Sequence, residues 1–107
     1  MNQMARKEKI FEVFENINPG QRELITQLID EVLFLEEQMT ELKKLPFIKT
    51  KPNNPSIQKT TPAAKLYKEC SQSYMNAIRI LLSIVKQEGE SEADRLKQMF
   101  AEFMPDE

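Results

Sequence analysis

The sequence predicts an all-α fold in which two long helices are joined by a connector rich in proline, asparagine and lysine and are flanked by short helices. Only two glycines, Gly20 and Gly89, occur in 107 residues, whereas glutamate, lysine, leucine, isoleucine, methionine and glutamine, which favour helices, are abundant. The β-branched and aromatic runs expected of strands are missing. Apolar residues recur instead at the three- and four-residue spacing of helix faces.

The length of the chain predicts a single domain, because 107 residues accommodate one hydrophobic core and not two. We divide it into a helical hairpin at residues 1–44, a basic, proline-containing connector at residues 45–61, and a C-terminal part at residues 62–107. The C-terminal part is expected to hold one long helix and a short acidic helix.

The first helix is predicted at about residues 2–16 and the second at about residues 19–44. Between them, Asn18 is expected to cap the second helix, with Pro19 at its first position. Gln21 completes the N-x-x-Q spacing of a capping box. A short turn between two helices also occurs in helix-turn-helix proteins, but the second helix is too long and too acidic for a typical recognition helix.

The apolar residues of the second helix are spaced 4, 3, 4 and 3 from Leu28 onward. This is the spacing of a coiled-coil seam. A stripe facing the core of the same chain has an equal claim, because the pattern covers only two heptads. The residues concerned are Leu28, Val32, Leu35, Met39 and Leu42.

The connector is predicted to lack regular structure, because Pro46, Pro52 and Pro55 interrupt it and Asn53 and Asn54 favour turns. Its apolar residues indicate that it lies against the rest of the protein.

The third helix is predicted to begin with Thr61 as its cap and Pro62 at its first position. We expect it to end at Gly89, and a last short helix to be capped by Ser91, three residues before Asp94.

Apolar residues cover more than half of the circumference of the third helix, so the helix must be covered on several sides. We therefore expect a homo-oligomer, since exposed apolar stripes favour association. The alternative is a self-contained bundle in which the last helix and the connector act as a lid. The residues predicted at the oligomer interface are Leu28, Val32, Leu35, Met39, Leu42, Tyr74, Ile78, Leu81, Leu82 and Val85.

The composition argues against catalysis and against a metal or cofactor site. Histidine, the commonest general base and metal ligand, is absent, and Cys70 is a single cysteine. No glycine-rich phosphate loop occurs. We also expect no catalytic residues, no small-molecule substrate, no membrane span and no signal peptide, which together predict a cytoplasmic protein.

The charges are strongly segregated although the net charge is only −2. Between Glu41 and Glu69 the sequence holds seven lysines and no acid, and the third helix extends this basic character along one face. Lysines in this pattern are suited to phosphate contacts that position a duplex without reading its sequence. The residues predicted to bind double-stranded DNA are Lys49, Lys51, Lys59, Lys65, Lys68, Arg79 and Lys86.

Two alternatives to DNA binding remain. The lysines could be solvated or could pair with acidic helices of the same chain or of neighbouring chains.

The acidic C-terminal region, in which seven acids follow Lys86, could dock a partner through Phe100 and Phe103. The alternative for these two phenylalanines is packing on the bundle.

Several motifs stand out within about residues 31–85: Leu45-Pro46-Phe47-Ile48-Lys49, Asn54-Pro55, Thr61-Pro62-Ala63-Ala64-Lys65-x-Tyr67-Lys68, and Tyr74 with Leu81-Leu82. This pattern resembles the small subunit of tailed-phage terminases. The resemblance implies a DNA-packaging protein that assembles into a ring, binds the phage genome and presents it to the terminase large subunit, which carries the ATPase and nuclease.

The chain departs from that family in its acidic segment after Gly89 and in lacking an evident separate DNA-binding domain. Two other functions therefore stay open. One is a purely protein-binding helical adaptor or scaffold of a phage or mobile element, acting through the seam of the second helix. The other is a small regulator that binds a host protein through its acidic surface.

Overall fold

The computed structural model describes the backbone at residues 3–51 and 54–104 and the side chains at residues 4–48 and 59–104. The helical fold class is confirmed, with two long helices and short flanking ones. In chain order the elements are α1 (Gln3–Val13), α2 (Arg22–Leu42), β1 (Ile48–Lys51), β2 (Asn54–Thr60), α3 (Pro62–Val85) and α4 (Glu90–Phe100). Single 3₁₀ turns lie at Pro19–Gln21, Lys86–Glu88 and Ala101–Phe103.

Side-chain caps begin two of these segments where the sequence predicted them. The Thr61 hydroxyl accepts a hydrogen bond from the Ala64 backbone N–H at 3.2 Å, and Pro62 is the first residue of α3. The Asn18 side chain accepts from the Gly20 N–H at 2.9 Å and caps the 3₁₀ turn that leads into α2. The capping box predicted between Asn18 and Gln21 does not form. In the 3₁₀ turn that takes its place, the Gln21 backbone N–H donates to the Asn18 carbonyl at 2.9 Å.

The helical segment that follows Thr61 does end at Gly89, but α3 itself stops earlier than predicted, at Val85, and a 3₁₀ turn fills Lys86–Glu88. The start of α4 also differs from the prediction. Gly89 has a φ of +128°, a conformation that side chains with a Cβ rarely adopt. It separates the 3₁₀ turn after α3 from α4. Ser91 does not cap the last helix, because α4 already begins at Glu90, directly after Gly89 and without a side-chain cap.

The prediction of an irregular connector is wrong: β1 and β2 form an antiparallel hairpin. Ile48 pairs with Thr60 and Lys49 with Lys59, and the register shifts between Thr50 and Lys51. Prolines count against strands in general, but a two-stranded hairpin consists only of edge strands, where a missing N–H donor is tolerated. Pro52 and Asn53 lie outside the described residues.

The helices α2 and α3 pack antiparallel, with the hairpin extending from the end at which the chain reverses. Near this end the Thr61 N–H donates to the Phe47 carbonyl at 3.1 Å, and further along the pair Tyr74 contacts Glu36. Together with the hairpin this gives an elongated molecule of 60 × 27 × 21 Å. No helix in the described parts of the chain is both long enough and apolar enough to cross a lipid bilayer.

One hydrophobic core joins all four helices. Ile29 and Val32 of α2 and Ile78 of α3 are fully buried, as are Ile10 of α1 and Leu96 of α4. The wide apolar face of α3 is thus covered by α2 on one side and α4 on another, which is the self-contained arrangement with α4 as a lid. The hairpin lies beyond this core and does not cover it.

The seam residues of α2 accordingly form a core-facing stripe within one chain. Of the ten residues predicted at an oligomer interface, seven are buried here and three are half-buried. The half-buried ones are Leu28, Leu42 and Leu82. A second copy of the chain is not required to cover the other seven. Self-association therefore stays a prediction, but the need to cover an exposed apolar face no longer supports it.

Candidate nucleic-acid interface

The outward face of α3 carries the longest cationic surface among the described residues. Lys65, Lys68 and Arg79 of α3 and Lys86, directly after its end, are all exposed, and at 100° per residue they fall within an arc of about 60°. Over 21 residues this face extends about 31 Å along the helix axis. The only acidic residue of α3 is Glu69, so the face is almost uniformly positive.

The opposite side of α3 determines which way this face points. Its buried residues include Tyr74, Ile78, Leu81 and Val85, which lie on the far side of the helix from the cations. Burial of these side chains in the core stabilises α3 in this rotation, at about 1.5–3 kcal/mol for each large apolar group. The cationic face is therefore held in solvent by the same packing that forms the core.

The cations of this surface form no ion pairs with described residues. Lys59, Lys65, Lys68 and Lys86 have no acidic partner there, and Arg79 only donates from Nη1 to Asn76 Oδ1, at 3.4 Å. By contrast, Arg6, Lys7, Lys44 and Arg95 all pair with carboxylates at 2.6–3.3 Å. Pairing with acidic helices of the same chain, one of the two explanations for the lysines, is found for Lys44, which meets Glu41, but not, among the described residues, for Lys59, Lys65, Lys68 or Lys86.

The hairpin lies at the N-terminal end of the cationic face. Lys59 is exposed and is the register partner of Lys49, while the side chains of Lys49 and Lys51 lie outside the described ones. The Thr61 hydroxyl donates to the Pro46 carbonyl at 2.7 Å, which fixes the base of the hairpin to the start of α3. The predicted DNA-binding residues on the hairpin and on α3 therefore belong to one continuous part of the molecule.

The two phenylalanines predicted to dock a partner are packed on the bundle instead. Phe100 is 0% exposed and meets the Tyr74 ring edge-on, with 6.0 Å between centroids. Phe103 is half-buried, 6.0 Å from the Tyr74 ring, and Lys43 Nζ lies 6.0 Å from its centroid. The prediction is contradicted for Phe100, because a buried ring has no surface to offer.

A buried polar network, which the sequence analysis missed, joins the four helices. Glu36 is only 6% exposed, and its carboxylate accepts from Arg6 Nε at 2.9 Å and Nη2 at 2.7 Å. It also accepts from the Tyr74 hydroxyl at 2.6 Å, and Arg6 donates further to the Met99 carbonyl at 2.9 Å. One feature of the sequence could have indicated this network: Glu36 lies inside the apolar stripe of α2, between Val32 and Met39.

The network perturbs the acid–base properties of two of its members. Burial, together with the hydrogen bond to Glu36, raises the pKa of the Tyr74 hydroxyl well above its ordinary value. Burial alone would lower the pKa of Arg6, but the hydrogen bond and the charge of Glu36 outweigh it and raise that pKa. Both groups therefore stay protonated at neutral pH, and the network joins the four helices through hydrogen bonds.

One other concave surface among the described residues is unsuited to DNA. A cavity of about 540 Å³ beside the α1–α2 turn is apolar at Phe11 and Ile17 but is bordered by Glu8, Glu12 and Glu15, which repel phosphate. Among the described residues, no three potential ligands from histidine, cysteine, aspartate and glutamate lie together.

Comparison of the chain with protein-family models, with curated proteins and with solved structures found no match. The resemblance to terminase small subunits therefore rests on the residues of the connector and the third helix alone.

Proposed function

We propose that this chain is a non-catalytic DNA-binding adaptor of the kind that the resemblance to terminase small subunits implies. Such an adaptor is a homo-oligomer that binds viral double-stranded DNA and recruits or stimulates a large motor and nuclease subunit. The observation that carries the DNA-binding part is the unpaired cationic face of α3, which is continuous with the lysine-bearing hairpin.

The dimensions of this face favour a duplex over a small anion. Lys65 and Lys86 are separated by about 31 Å along α3, which equals the rise of about nine base pairs at 3.4 Å each. Cations spread over such a length can contact several phosphates at once, and each contact releases condensed counterions. A compact anion would need its ligands converging on one point, and the cations of α3 do not converge.

The decisive experiment measures the fluorescence anisotropy of a labelled 30-base-pair duplex at several salt concentrations. One variant replaces Lys65, Lys68 and Lys86 with glutamine. The matched control replaces Lys9, Arg22 and Lys97, three exposed cations of other helices, and so removes the same charge. If all three lysines contact phosphates, the slope of log K against log salt becomes shallower by about 2.7 in the first variant only.

The proposal fails if the wild-type chain does not bind the duplex at 50 mM salt, or if both triple variants lose the same affinity. Circular dichroism of each variant checks that the helices are intact. For the oligomeric part, light scattering after gel filtration that gave a strict monomer at micromolar concentration would contradict the ring.

A purely protein-binding adaptor is the second candidate, and one observation favours it. Phe34, on the outer face of α2, is 54% exposed and stands among acidic side chains that include Asp30 and Glu31. An exposed aromatic ring of this kind is typical of protein interfaces. If the chain binds a protein but no duplex, and Phe34→Ser abolishes that binding, the second candidate replaces the first.

A further inference from the structure

We propose that α3 enters the major groove and that Gln72, Asn76 and Arg79 contact base edges there, so that binding depends on sequence. This inference rests on the proposed DNA-binding function. It goes beyond that function, because phosphate contacts by lysines position a duplex without distinguishing one sequence from another.

The placement of these three side chains is the first argument. Their spacing of four and three residues puts them on one face of α3, and all three are exposed. They extend over seven residues, or about 10.5 Å of helix, which corresponds to about three base pairs at a 3.4 Å rise. They also occupy the middle of the cationic face, with Lys68 before them and Lys86 after them.

This order matches the way a straight helix meets a curved groove. The middle of the helix lies deepest, and its ends diverge towards the phosphate backbones on either side. An α-helix with its side chains is about 10–12 Å wide, and the major groove is about 12 Å wide. Amides and the guanidinium thus lie where base edges would be, and lysines lie where phosphates would be.

The chemistry of the three groups is the second argument. Glutamine and asparagine can bond the N6 and N7 edge of adenine, and arginine bonds the O6 and N7 edge of guanine. The hydrogen bond from Arg79 Nη1 to Asn76 Oδ1 orients these two groups relative to each other before DNA arrives. A shallow concavity of about 400 Å³, bordered by these three side chains with Ser71 and Met75, leaves room for the base edges.

The surroundings of this surface leave it accessible. The opposite side of α3 packs on α2 and α4, and none of the three groups takes part in the buried network. Glu69 lies two turns before Asn76 on the same side and is the one carboxylate of the helix. In the groove it can accept from the amino group of cytosine, so its charge is compatible with base contact although not with phosphate contact.

The test selects bound duplexes from a pool with a randomised 20-base-pair centre and sequences them. Anisotropy then compares an enriched duplex with a scrambled one of equal composition. We expect a preference of at least about tenfold for the enriched duplex, the discrimination of one good base contact. The triple variant Gln72→Ala, Asn76→Ala and Arg79→Ala should reduce this preference to within about twofold, and binding to the scrambled duplex should weaken only by the loss of one cation.

Two control variants separate the possible outcomes. Gln38→Ala removes an exposed amide from α2 and should keep the preference, whereas Lys68→Gln should weaken binding to both duplexes equally. Binding without any enriched sequence, or a preference that survives loss of Gln72, Asn76 and Arg79 together, overturns the inference and leaves phosphate binding standing. Failure to bind any duplex overturns the proposed function as well.

Discussion

Removal of the Glu36 carboxylate should destabilise the fold far more than removal of a surface carboxylate. In Glu36→Ala the buried Tyr74 hydroxyl loses its acceptor, at about 1–3 kcal/mol. Arg6 loses both of its bonds to the carboxylate, but its side chain is 24% exposed, so water and the Met99 carbonyl offset part of that loss. We therefore expect the free energy of unfolding to fall by about 3 kcal/mol, at the lower end of values for broken buried pairs.

The matched control is Asp30→Ala, which breaks the ion pair with Lys7. That pair is closer in distance, at 2.6 Å, but its side chains are 35% and 54% exposed. Exposed ion pairs contribute at most about 1 kcal/mol. The two variants thus compare one lost carboxylate on the same helix in two environments, and burial is the main difference between them.

The assay is urea denaturation followed by circular dichroism at 222 nm, with the midpoint shift converted at a constant m-value. A double-mutant cycle with Tyr74→Phe then isolates the coupling between the hydroxyl and the carboxylate. If the free energies of unfolding of Glu36→Ala and Asp30→Ala lie within about 1 kcal/mol of each other, the buried network does not contribute the expected stability. A coupling near zero would reject the Tyr74–Glu36 bond in particular.

Three further predictions concern pH and single backbone positions. Because the pKa of Tyr74 is raised above its ordinary value of 10.0, the contribution of this hydroxyl to stability is present in full well below pH 10 and is lost above it, by about 1.4 kcal/mol at pH 11; urea melts of Tyr74→Phe should lack this loss, and an equal decline in both proteins would refute it. Thr61→Ala removes the α3 cap and the bond to the hairpin base and should lower stability by about 1–2 kcal/mol, measured against Thr26→Ala, whose hydroxyl only bonds within α2. Gly89→Ala has open space for a Cβ but an unfavourable φ, so thermal melts should show a loss of about 1–3 kcal/mol; Gly20→Ala, with no positive φ, should lose less, and equal losses would contradict the strain argument.

Features that depend on neighbouring residues could be predicted from the sequence. Thr61 with Pro62, and Gly89, mark the two ends of the third helical segment because capping and positive φ are local requirements. The cationic face of α3 likewise follows from helical periodicity once the helix is placed. These predictions needed no knowledge of what the helix packs against.

Features that depend on distant residues could not be predicted in this way. Glu36 bonds Arg6 across 30 residues and Tyr74 across 38, and no local spacing relates them. The hairpin was missed because prolines count against strands in general, although the edge strand β2 contains Pro55. The broad apolar face of α3 led to the prediction of a second copy of the chain. The packing of α4 against that face is a tertiary contact, which the local sequence pattern does not show.

The bond from Arg6 to the Met99 carbonyl has a consequence for the order of folding. It joins residues 93 positions apart, whereas the hairpin joins α2 to α3 through a short reversal of the chain. Closing long loops has the larger entropy cost, so we expect α2, the hairpin and α3 to associate first and α1 and α4 to dock afterwards as one late event. In native-state hydrogen exchange, the amides of α1 and α4 should then open together at lower free energy than those of α2 and α3.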